Sequence, residues 1–539
     1  MCAASAPAPP RPRRVVPVPL TRLAAVAGAA APPGAADVAV QGITLRAQHV
    51  RPGDLFAALP GTRVHGAAFA DDARQAGAVA VLTDAAGAAA VATRDAADGA
   101  DRADGAGGAA ALPVLVCPDV RAVLGDVAAA VYGDPSRRLA VLGVTGTSGK
   151  TTTCYLLEAA LQAGGDPVGL IGTVQTRIGG QASPSALTTP EAPDLQALFA
   201  VMAEQGARAV AMEVSSHSLE LGRVAGTRFA VGAFTNLSQD HLDFHPDMES
   251  YFRAKSLLFD GRSDRAVVDV DGPYGRRLAA TVPGAVTVSG TGSTPADWSL
   301  AELRPVAGGT QQLCIRRPDG PVLDVSLALP GPFNAANAVL ALACVARSGT
   351  GVDVDAAARA LATVVVPGRM ERVDAGQPFL AVVDYAHKPA ALEAVLEAVG
   401  AGLTGRLIVV VGAGGDRDRG KRPLMGAAVA AWADLVVVTD DNPRSESPAA
   451  IRAAVLAGTR GAMRRRPGQA DVREVGDRHE AIRAAVAAAR AGDVVVVAGK
   501  GHETGQEVAG VVHEFSDRDE VRAALAGRGF DAGHDGTAA

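Results

Sequence analysis

Aromatic side chains are scarce in this chain, at 4% of 539 residues with two tryptophans. Proteins that bind single-stranded nucleic acid stack bases on aromatic side chains, so this scarcity argues against such a surface. A basic excess is also missing, because 51 lysines and arginines stand against 57 acidic residues and give a net charge of -6. A phosphate-backbone binder normally carries the opposite balance. We therefore expect no nucleic-acid partner.

Paired cysteines and long apolar runs are missing as well. The five cysteines, Cys2, Cys117, Cys154, Cys314 and Cys344, are scattered and form no CxxC pair or metal-ligand spacing. This pattern predicts reduced thiols rather than disulfides or a zinc site. No run of about 18 uncharged apolar residues is present, so no membrane span is expected. Both observations favour a cytoplasmic protein.

The length and the alternation of strand and helix patterns predict several α/β domains. Buried strands are expected at AVAVLTD (78–84), AVAMEV (209–214), AVGAFTN (230–236) and in three β-branched runs after residue 400. An Ala, Asp and Gly tract at 91–111 has no periodicity and predicts a flexible surface insertion. The predicted boundaries are a disordered Pro-rich leader (1–37), three domains (38–133, 134–366 and 367–529) and a frayed tail (530–539).

A phosphate-binding loop is predicted where the apolar strand LAVLGVT runs into GTSGKTT and then into a helical pattern. Glycines let backbone amides face phosphate oxygens, the lysine neutralises the terminal phosphates, and the first threonine can reach magnesium. The predicted ATP-binding residues are Gly146, Thr147, Ser148, Gly149, Lys150, Thr151 and Thr152. Such a loop alone does not name a reaction.

Glu213 and His241 each lie at or just past the end of a predicted strand. A carboxylate at that position can reach a magnesium ion above the phosphates. A structural role is the alternative for both residues, but their place beside a phosphate loop favours a metal site.

Twelve motifs in a fixed order resemble the Mur ligases over roughly residues 38–519. They are RPGDLFAALPG from Arg51, TGTSGKTT from Thr145, LTTPEAP from Leu187, MEVSSHSLE from Met212, NLSQDHLD from Asn236, YFRAKSLLF from Tyr251, GPFNAANAVLA from Gly331, PGRMERVD from Pro367, DYAHKP from Asp384, GGDRDRGKRPLM from Gly414, DNPR from Asp441 and GKGHE from Gly499. The resemblance implies an α/β protein with a small N-terminal UDP-binding domain, a central P-loop ATPase domain with a parallel sheet and a C-terminal Rossmann-like domain. It also implies a monomer that uses ATP and Mg2+.

The resemblance assigns four residues to catalysis, Lys150, Glu213, His241 and Lys255. Lys255 would carry a carbamate made with carbon dioxide, which turns a cation into a carboxylate ligand for magnesium. Without the resemblance, Lys255 would be a surface lysine on a helix. The implied metal ligands are Thr151, Glu213, His241 and the Lys255 carbamate.

Substrate contacts follow from the same resemblance. The uridine diphosphate end would lie against Thr62, Arg63 and Val64, and the muramoyl dipeptide against Thr188, Thr189, Ser215 and Arg223. Ala47 and Leu221 depart from the serine and glutamine that are frequent in the family. Further groups on the nucleotide side would be Asn334, Asn337, Arg369, Asp384, His387 and Lys388, although an asparagine in a helix is often merely tolerated.

The incoming amino acid is implied by DNPR, which resembles the version of this site that accepts meso-diaminopimelate. A guanidinium binds a carboxylate in a two-pronged way, which suits Arg444 to the extra carboxylate of that substrate. The implied set is Arg417, Asp441, Asn442, Pro443, Arg444, Gly499 and Glu503, with Glu503 facing the distal ammonium. A plain Asx-Pro turn is the alternative for DNPR.

The reaction that the resemblance implies is phosphorylation, by ATP, of the side carboxylate of a glutamyl residue in the dipeptide, followed by attack of the amino group of the incoming amino acid on the acyl phosphate. Two other functions remain open from the residues alone. A folylpolyglutamate synthetase shares the phosphate loop, but the RPGDLFAALPG segment argues against it. A P-loop switch would hydrolyse nucleotide without forming a bond.

Overall fold

The computed structural model describes residues 9–101, 111–185, 187–242, 244–306, 310–401, 403–465 and 470–530. The chain divides into two compact units. The first contains residues 1–287 and 340–357, and the second contains residues 288–339 and 358–539. Among the described residues, no helix is both long and apolar enough to cross a membrane.

Fourteen strands and nine α-helices precede residue 290 in the described part of the chain. The strands are β1 Val18–Pro19, β2 Ala39–Val40, β3 Gly42–Thr44, β4 Asp54–Ala58, β5 Ala80–Thr83, β6 Val114–Val116, β7 Ala140–Thr145, β8 Val168–Ile171, β9 Gln175–Ile178, β10 Gln181–Pro184, β11 Ala209–Glu213, β12 Val231–Phe234, β13 Ala266–Asp269 and β14 Val286–Ser289. The helices are α1 Leu20–Val26, α2 Ala70–Gln75, α3 Ala85–Asp101, α4 Val120–Val131, α5 Lys150–Gln162, α6 Ala192–Glu204, α7 Ser216–Glu220, α8 Met248–Ser256 and α9 Pro273–Thr281.

Eleven strands and seven α-helices follow in the remaining described residues. The strands are β15 Trp298–Val306, β16 Thr310–Arg316, β17 Leu323–Leu327, β18 Glu371–Arg372, β19 Leu380–Asp384, β20 Leu407–Val411, β21 Leu435–Val438, β22 Asp471–Glu474, β23 Val494–Ala498, β24 Gly505–Val508 and β25 Val511–Glu514. The helices are α10 Pro332–Arg347, α11 Val354–Ala360, α12 Pro389–Gly400, α13 Lys421–Trp432, α14 Pro448–Arg465, α15 Arg478–Ala488 and α16 Asp517–Gly527.

The leader predicted to be disordered over 1–37 is ordered from residue 9 onward, so that prediction is wrong there. Strand β1 pairs with β2, and helix α1 buries Leu20 and Leu23 in the same core as Leu55 and Leu124. Apolar residues after the proline-rich start provide enough buried surface to hold this segment. Residues 1–8 lie outside the described part.

The prediction of a flexible insertion over residues 91–111 is also wrong for the first half of that segment. Helix α3 continues to Asp101, and Val91 is buried against a core that contains Phe56 and Val81. Alanine has the highest helix propensity, and this composition outweighs the missing periodicity. Residues 102–110 lie outside the described part, as do residues 531–539 of the predicted frayed tail.

A parallel sheet carries the phosphate loop in the first unit. Its strand order over residues 140–269 is β10-β9-β8-β11-β7-β12-β13, and β8, β11, β7, β12 and β13 run parallel. Glu213 pairs with Val144, and Phe234 pairs with Thr145. The carboxyl ends of β7, β11 and β12 therefore lie side by side.

A second parallel sheet, in the second unit, has the order β18-β19-β23-β20-β21-β22, with only β18 antiparallel. Strands β20, β21 and β23 are almost wholly valine, isoleucine, leucine or alanine and are buried on both faces. This composition is typical of parallel strands covered by helices on both sides. The loops after these three strands are consequently neighbours.

Candidate active site

The predicted phosphate loop connects β7 to the first turn of α5. Gly146 has a φ of 144°, and a Cβ added there would lie 1.9 Å from Oγ1 of Thr235. Gly149 has a φ of 90° and directly precedes the helix. Only glycine accommodates these two positions, so the backbone turns tightly into a helix N-terminus that attracts anions.

Lys150 is folded back over this loop. Its Nζ donates hydrogen bonds to the carbonyl oxygens of Gly146 (2.9 Å) and Thr147 (3.0 Å). Thr151 and Thr152 follow in the first helical turn and are buried. The loop is thus shaped around a positive charge, as a binding site for nucleotide phosphates requires.

Asn236 braces the loop from the end of β12. The Thr147 amide donates to its carbonyl oxygen (2.9 Å), and the Ser148 amide donates to its Oδ1 (3.0 Å). Sequence reasoning did not assign this residue a role, although it is the first residue of the NLSQDHLD motif.

Glu213 ends β11 at the same edge of the sheet and is buried. Its carboxylate accepts hydrogen bonds from the Thr173 amide (2.7 Å) and from Oγ1 of Thr173 (3.1 Å). Oγ1 of Thr173 also lies 3.0 Å from Oγ1 of Thr188. Thr173 therefore connects the predicted metal ligand to a residue predicted to bind the dipeptide, a link with no signal in the sequence.

Lys255 is buried, with 1% of its surface exposed, so the alternative of a surface helix lysine is wrong. Its Nζ donates to the carbonyl oxygen of Gly146 at 2.8 Å and lies 4.6 Å from the centre of the Tyr251 ring. Tyr251 and Lys255 are four residues apart on α8 and so share one face of the helix. The hydroxyl of Tyr251 is in turn 3.3 Å from Oγ1 of Thr147.

His241 lies in a group of rings that reaches the same loop. Its ring meets Tyr251 edge to face with 6.1 Å between centres, and it meets His217 at 5.1 Å. Its φ of 53° is in the left-handed region, which a non-glycine residue occupies at a cost. Its Nε2 is 3.3 Å from a carboxylate oxygen of Asp240.

The donors at this edge fit a magnesium ion held mainly through nucleotide phosphates. Glu213 offers a carboxylate and Thr151 a hydroxyl, and magnesium prefers oxygen ligands. Over the described ranges, no three His, Cys, Asp or Glu side chains form a cage for a metal. Magnesium is usually bound by one or two carboxylates plus substrate phosphates and water, so a complete protein cage is not required.

The residues predicted to bind the dipeptide form a connected set beside Glu213. Oγ1 of Thr189 donates to the Glu213 carbonyl oxygen (2.9 Å) and accepts from the Ser215 amide (3.3 Å). The guanidinium of Arg223 donates to the Thr189 carbonyl oxygen (3.4 Å) and pairs with Glu191 at 2.8 Å. The charge of Arg223 is therefore already paired with a carboxylate of the chain itself.

The residues predicted to meet uridine diphosphate follow β4, a strand of a separate four-stranded sheet with the order β3-β4-β5-β6. Thr62, Arg63 and Val64 are exposed in the loop after β4. The two positions that depart from the family differ in exposure, since Ala47 is buried and Leu221 is half-buried. Their substrate contacts stay predictions.

In the second unit, Arg369 and Asp384 come together. The carboxylate of Asp384 accepts from the Met370 and Ala386 amides, both at 2.7 Å. Burial raises the pKa of Asp384, and Arg369 opposes that rise. The guanidinium of Arg369 lies over the Tyr385 ring, with Cζ 4.3 Å from its centre.

The other predicted nucleotide-side residues of this unit are arranged around helix starts. Burial lowers the pKa of His387 to about 4, and Lys388 directly precedes α12. Asn334 and Asn337 are buried on α10, where Nδ2 of Asn334 donates to the Pro330 carbonyl oxygen (2.7 Å). The predicted helix is confirmed, and the role of the amides stays a prediction.

The predicted amino-acid site is assembled from the loops after β20, β21 and β23. The guanidinium of Arg444 donates to the Gly415 carbonyl oxygen (2.6 Å) and lies 3.5 Å from Glu507. Arg444 has a φ of 53°, so the DNPR segment is a constrained turn with a charged side chain. Arg417 is exposed in the adjacent loop.

Asn442 and Glu503 complete this group, because Nδ2 of Asn442 donates to Glu503 at 2.8 Å. Gly499 has a φ of 119°, and a Cβ added there would lie 2.6 Å from a carboxylate oxygen of Asp441. A side chain at residue 499 would thus displace Asp441. Pro443 follows Asn442, and its carbonyl oxygen accepts from the Glu446 amide.

Comparisons with known proteins cover nearly the whole chain. Residues 39–132 match the Mur ligase family catalytic domain, residues 144–345 match the Mur ligase middle domain, and residues 368–501 match the Mur ligase glutamate ligase domain. These matches support three domains, while the exact boundaries predicted above are untested.

Several similar proteins carry the name UDP-N-acetylmuramoyl-L-alanyl-D-glutamate–2,6-diaminopimelate ligase. The protein of Corynebacterium glutamicum is 55% identical over 87% of this chain and 89% of its own length. The protein of Streptomyces coelicolor is 51% identical over 96% of this chain and 98% of its own length. A solved structure with the same ligase name is 31% identical, covers 95% of this chain and all of its own, and has a TM-score of 0.66. The chain belongs to the Mur ligase family.

Proposed function

We propose that this chain joins meso-diaminopimelate to UDP-N-acetylmuramoyl-L-alanyl-D-glutamate with the energy of ATP, a step of peptidoglycan synthesis. It is an ATP-dependent ligase that forms a carbon–nitrogen bond. One observation carries the proposal: the side chains of Lys150 and Lys255 both donate a hydrogen bond to the Gly146 carbonyl oxygen of the phosphate loop. Relatives of more than 50% identity with this ligase name support the choice of substrates.

The proposed reaction has two steps. A carboxylate oxygen of the glutamyl side chain attacks the γ-phosphorus of ATP, so that an acyl phosphate forms and ADP leaves. The amino group of diaminopimelate then attacks the acyl carbon, and phosphate leaves as the nitrogen loses a proton. Phosphorylation is needed because direct attack of an amine on a carboxylate would have to expel oxide, a very poor leaving group, whereas the acyl phosphate expels phosphate.

The chain's own residues would position and stabilise charge in these steps. Lys150 would move from the loop carbonyls to the terminal phosphates, where its charge offsets the charge that develops during transfer. Asn236 would keep the loop amides in place. A bound magnesium ion, held through Thr151 and Glu213, would neutralise phosphate charge.

We further propose that Lys255 carries a carbamate and that His241 faces the metal. A buried lysine beside the phosphate loop is in the right place for such a modification. The loss of a positive charge at Lys255 would also relieve repulsion from Lys150, since both side chains bond the same carbonyl oxygen.

The amino-acid site of the second unit supports diaminopimelate rather than lysine. Arg444 offers a guanidinium to the additional carboxylate, which lysine lacks, and Glu503 offers a carboxylate to the distal ammonium that both amino acids carry. We also propose that the protein works in the cytoplasm, because ATP and nucleotide-linked sugars are available there. We propose in addition that it is a monomer. Size-exclusion chromatography with light scattering tests the oligomeric state.

The central test measures ADP release with the substrates added singly and together. We expect ADP only when UDP-linked dipeptide, diaminopimelate and ATP are all present, with a product whose mass equals dipeptide plus diaminopimelate minus water. Equal ADP release without the two other substrates would instead favour a nucleotide switch. Release with a folate and glutamate would favour a folylpolyglutamate synthetase, against which the first-domain match argues.

A further inference from the structure

Lys500 is a fully buried lysine of the GKGHE motif that the proposed reaction does not use. None of its side chain is exposed. Its Nζ donates to Oδ1 of Asn442 (2.8 Å) and to the Gly505 carbonyl oxygen (2.7 Å). The ammonium thus joins the loop after β21 to the loop after β23. A buried charge is costly unless it is paired, so a lysine here needs a specific reason.

The Lys500 ammonium and the Glu507 amide together determine which way the Asn442 amide faces. Oδ1 of Asn442 also accepts from the Glu507 amide at 3.0 Å. With two donors on its oxygen, the amide nitrogen must face Glu503, to which it donates at 2.8 Å. If the amide were flipped, its NH2 group would face two other donors, the Lys500 ammonium and the Glu507 amide, and neither contact could be a hydrogen bond.

Lys500 also lies close to two carboxylates of the predicted amino-acid site. Arg478 is matched by Asp517 through two hydrogen bonds of 2.7 Å, and both side chains are fully buried. The remaining carboxylates, Asp441 and Glu503, lie 3.6 Å and 3.7 Å from the Lys500 ammonium. Lys500 is thus shared between two carboxylates, and an ammonium group of a substrate beside Glu503 would add a second cation to them.

Burial and several neighbouring groups act on the pKa of Glu503 in opposite directions. Burial raises this pKa and Asp441 raises it further, whereas Lys500, the Asn442 hydrogen bond and Arg444 lower it. Tyr385 and Arg478 also interact with Glu503. Lys500 therefore favours the ionised carboxylate that an ammonium ligand requires.

We propose that Lys500 is a positioning residue for the amino-acid substrate: it holds Asn442 and Glu503 in the arrangement that receives the distal ammonium. This inference rests on the proposed function. Lys500 acts through its neighbours, since its own donors are directed to Asn442 and Gly505. Its loss should weaken diaminopimelate binding without altering the use of ATP.

The test compares Lys500→Met and Lys500→Gln with Arg406→Met. Arg406 makes an ion pair of 2.8 Å with Asp493 and a hydrogen bond of 2.7 Å to Ala488 in the same unit, away from the DNPR and GKGHE loops. Hydrogen bonds to charged groups predict a rise in KM for diaminopimelate of roughly tenfold to hundredfold in both Lys500 variants. KM for ATP should stay within about twofold, and Arg406→Met should lower Tm without changing KM.

A pH series separates positioning from a structural role. Without Lys500 the pKa of Glu503 rises, so the KM increase should be larger at pH 6 than at pH 8.5. An equal rise of KM for ATP and diaminopimelate, or an increase that does not vary with pH, would overturn the inference. A wild-type protein that fails to ligate diaminopimelate would instead overturn the proposed function. Two Lys500 variants are prepared so that misfolding of one still leaves a measurement from the other.

Discussion

The ammonium of Lys255 lies 2.8 Å from the carbonyl oxygen of Gly146, the first residue of the phosphate loop. The same oxygen accepts a hydrogen bond from Lys150. Addition of carbon dioxide to the neutral amine gives a carbamate and releases a proton, and the carbamate nitrogen keeps one hydrogen. Lys255 could therefore be modified and still donate to Gly146.

The carbamate proposal predicts chemical rescue of Lys255→Ala. We expect this variant to lose at least about 100-fold in kcat, because a metal ligand is absent. Formate or acetate should restore part of the activity, since either supplies the missing carboxylate. The same concentration of methylamine serves as control. Rescue by the amine and not by the carboxylates would show that the ammonium, rather than a carbamate, is the active form.

Thr173 is predicted to position Glu213. Thr173→Val removes the 3.1 Å hydrogen bond from Oγ1 and keeps the amide bond to the same carboxylate. We expect about a tenfold loss of kcat/KM and a higher magnesium concentration at half-maximal rate, as when a hydrogen bond that orients a metal ligand is lost.

Thr176→Val provides the matched control for Thr173. It removes a 3.0 Å contact with Ser185 across the β9–β10 hairpin and should leave the magnesium dependence unchanged. If both valine variants shift the magnesium dependence equally, the effect belongs to the hairpin and not to Glu213.

Arg444 is predicted to select diaminopimelate. Arg444→Ala should raise KM for diaminopimelate roughly tenfold to hundredfold with little change in KM for ATP. Arg444→Lys retains the charge without the two-pronged geometry and should fall between the alanine variant and wild type. Arg473→Ala, which removes an exposed pair with Asp471, is the control. Loss of ATP and diaminopimelate use in equal measure would contradict the assigned role of Arg444.

The sequence predicted local features well because they depend on neighbouring residues. The strand, loop and helix around Lys150 follow from apolar periodicity and glycine spacing, and α5 begins at that lysine. The bonds from Thr173 to Glu213 and from Lys500 to Asn442 join residues 40 and 58 positions apart. Such contacts depend on strand order, which residue patterns alone do not specify. The ordered leader was missed because its packing partners, such as Leu55, lie far along the chain.

Asp269, at the end of β13, is expected to reduce stability at neutral pH. Burial raises its pKa from 3.8 to about 7, although the hydrogen bond from the Asp271 amide lowers it; the charge of Asp271 is a smaller effect that raises it. The folded pKa exceeds the unfolded value, so the folded state binds more protons and the free energy of unfolding falls as pH rises from about 4 to 7.

The variant Asp269→Asn tests this expectation. In the wild-type protein the Asp271 amide donates to a carboxylate oxygen of Asp269 at 2.9 Å; asparagine keeps an oxygen at that place and removes the charge. Urea unfolding should show a gain of roughly 1–3 kcal/mol at pH 8 and a smaller gain at pH 5. Asp166→Asn, at an exposed position of the same unit, should stay within about 0.5 kcal/mol of wild type at both pH values. A gain for Asp269→Asn that is equal at the two pH values would mean that the carboxylate is not protonated in the folded protein.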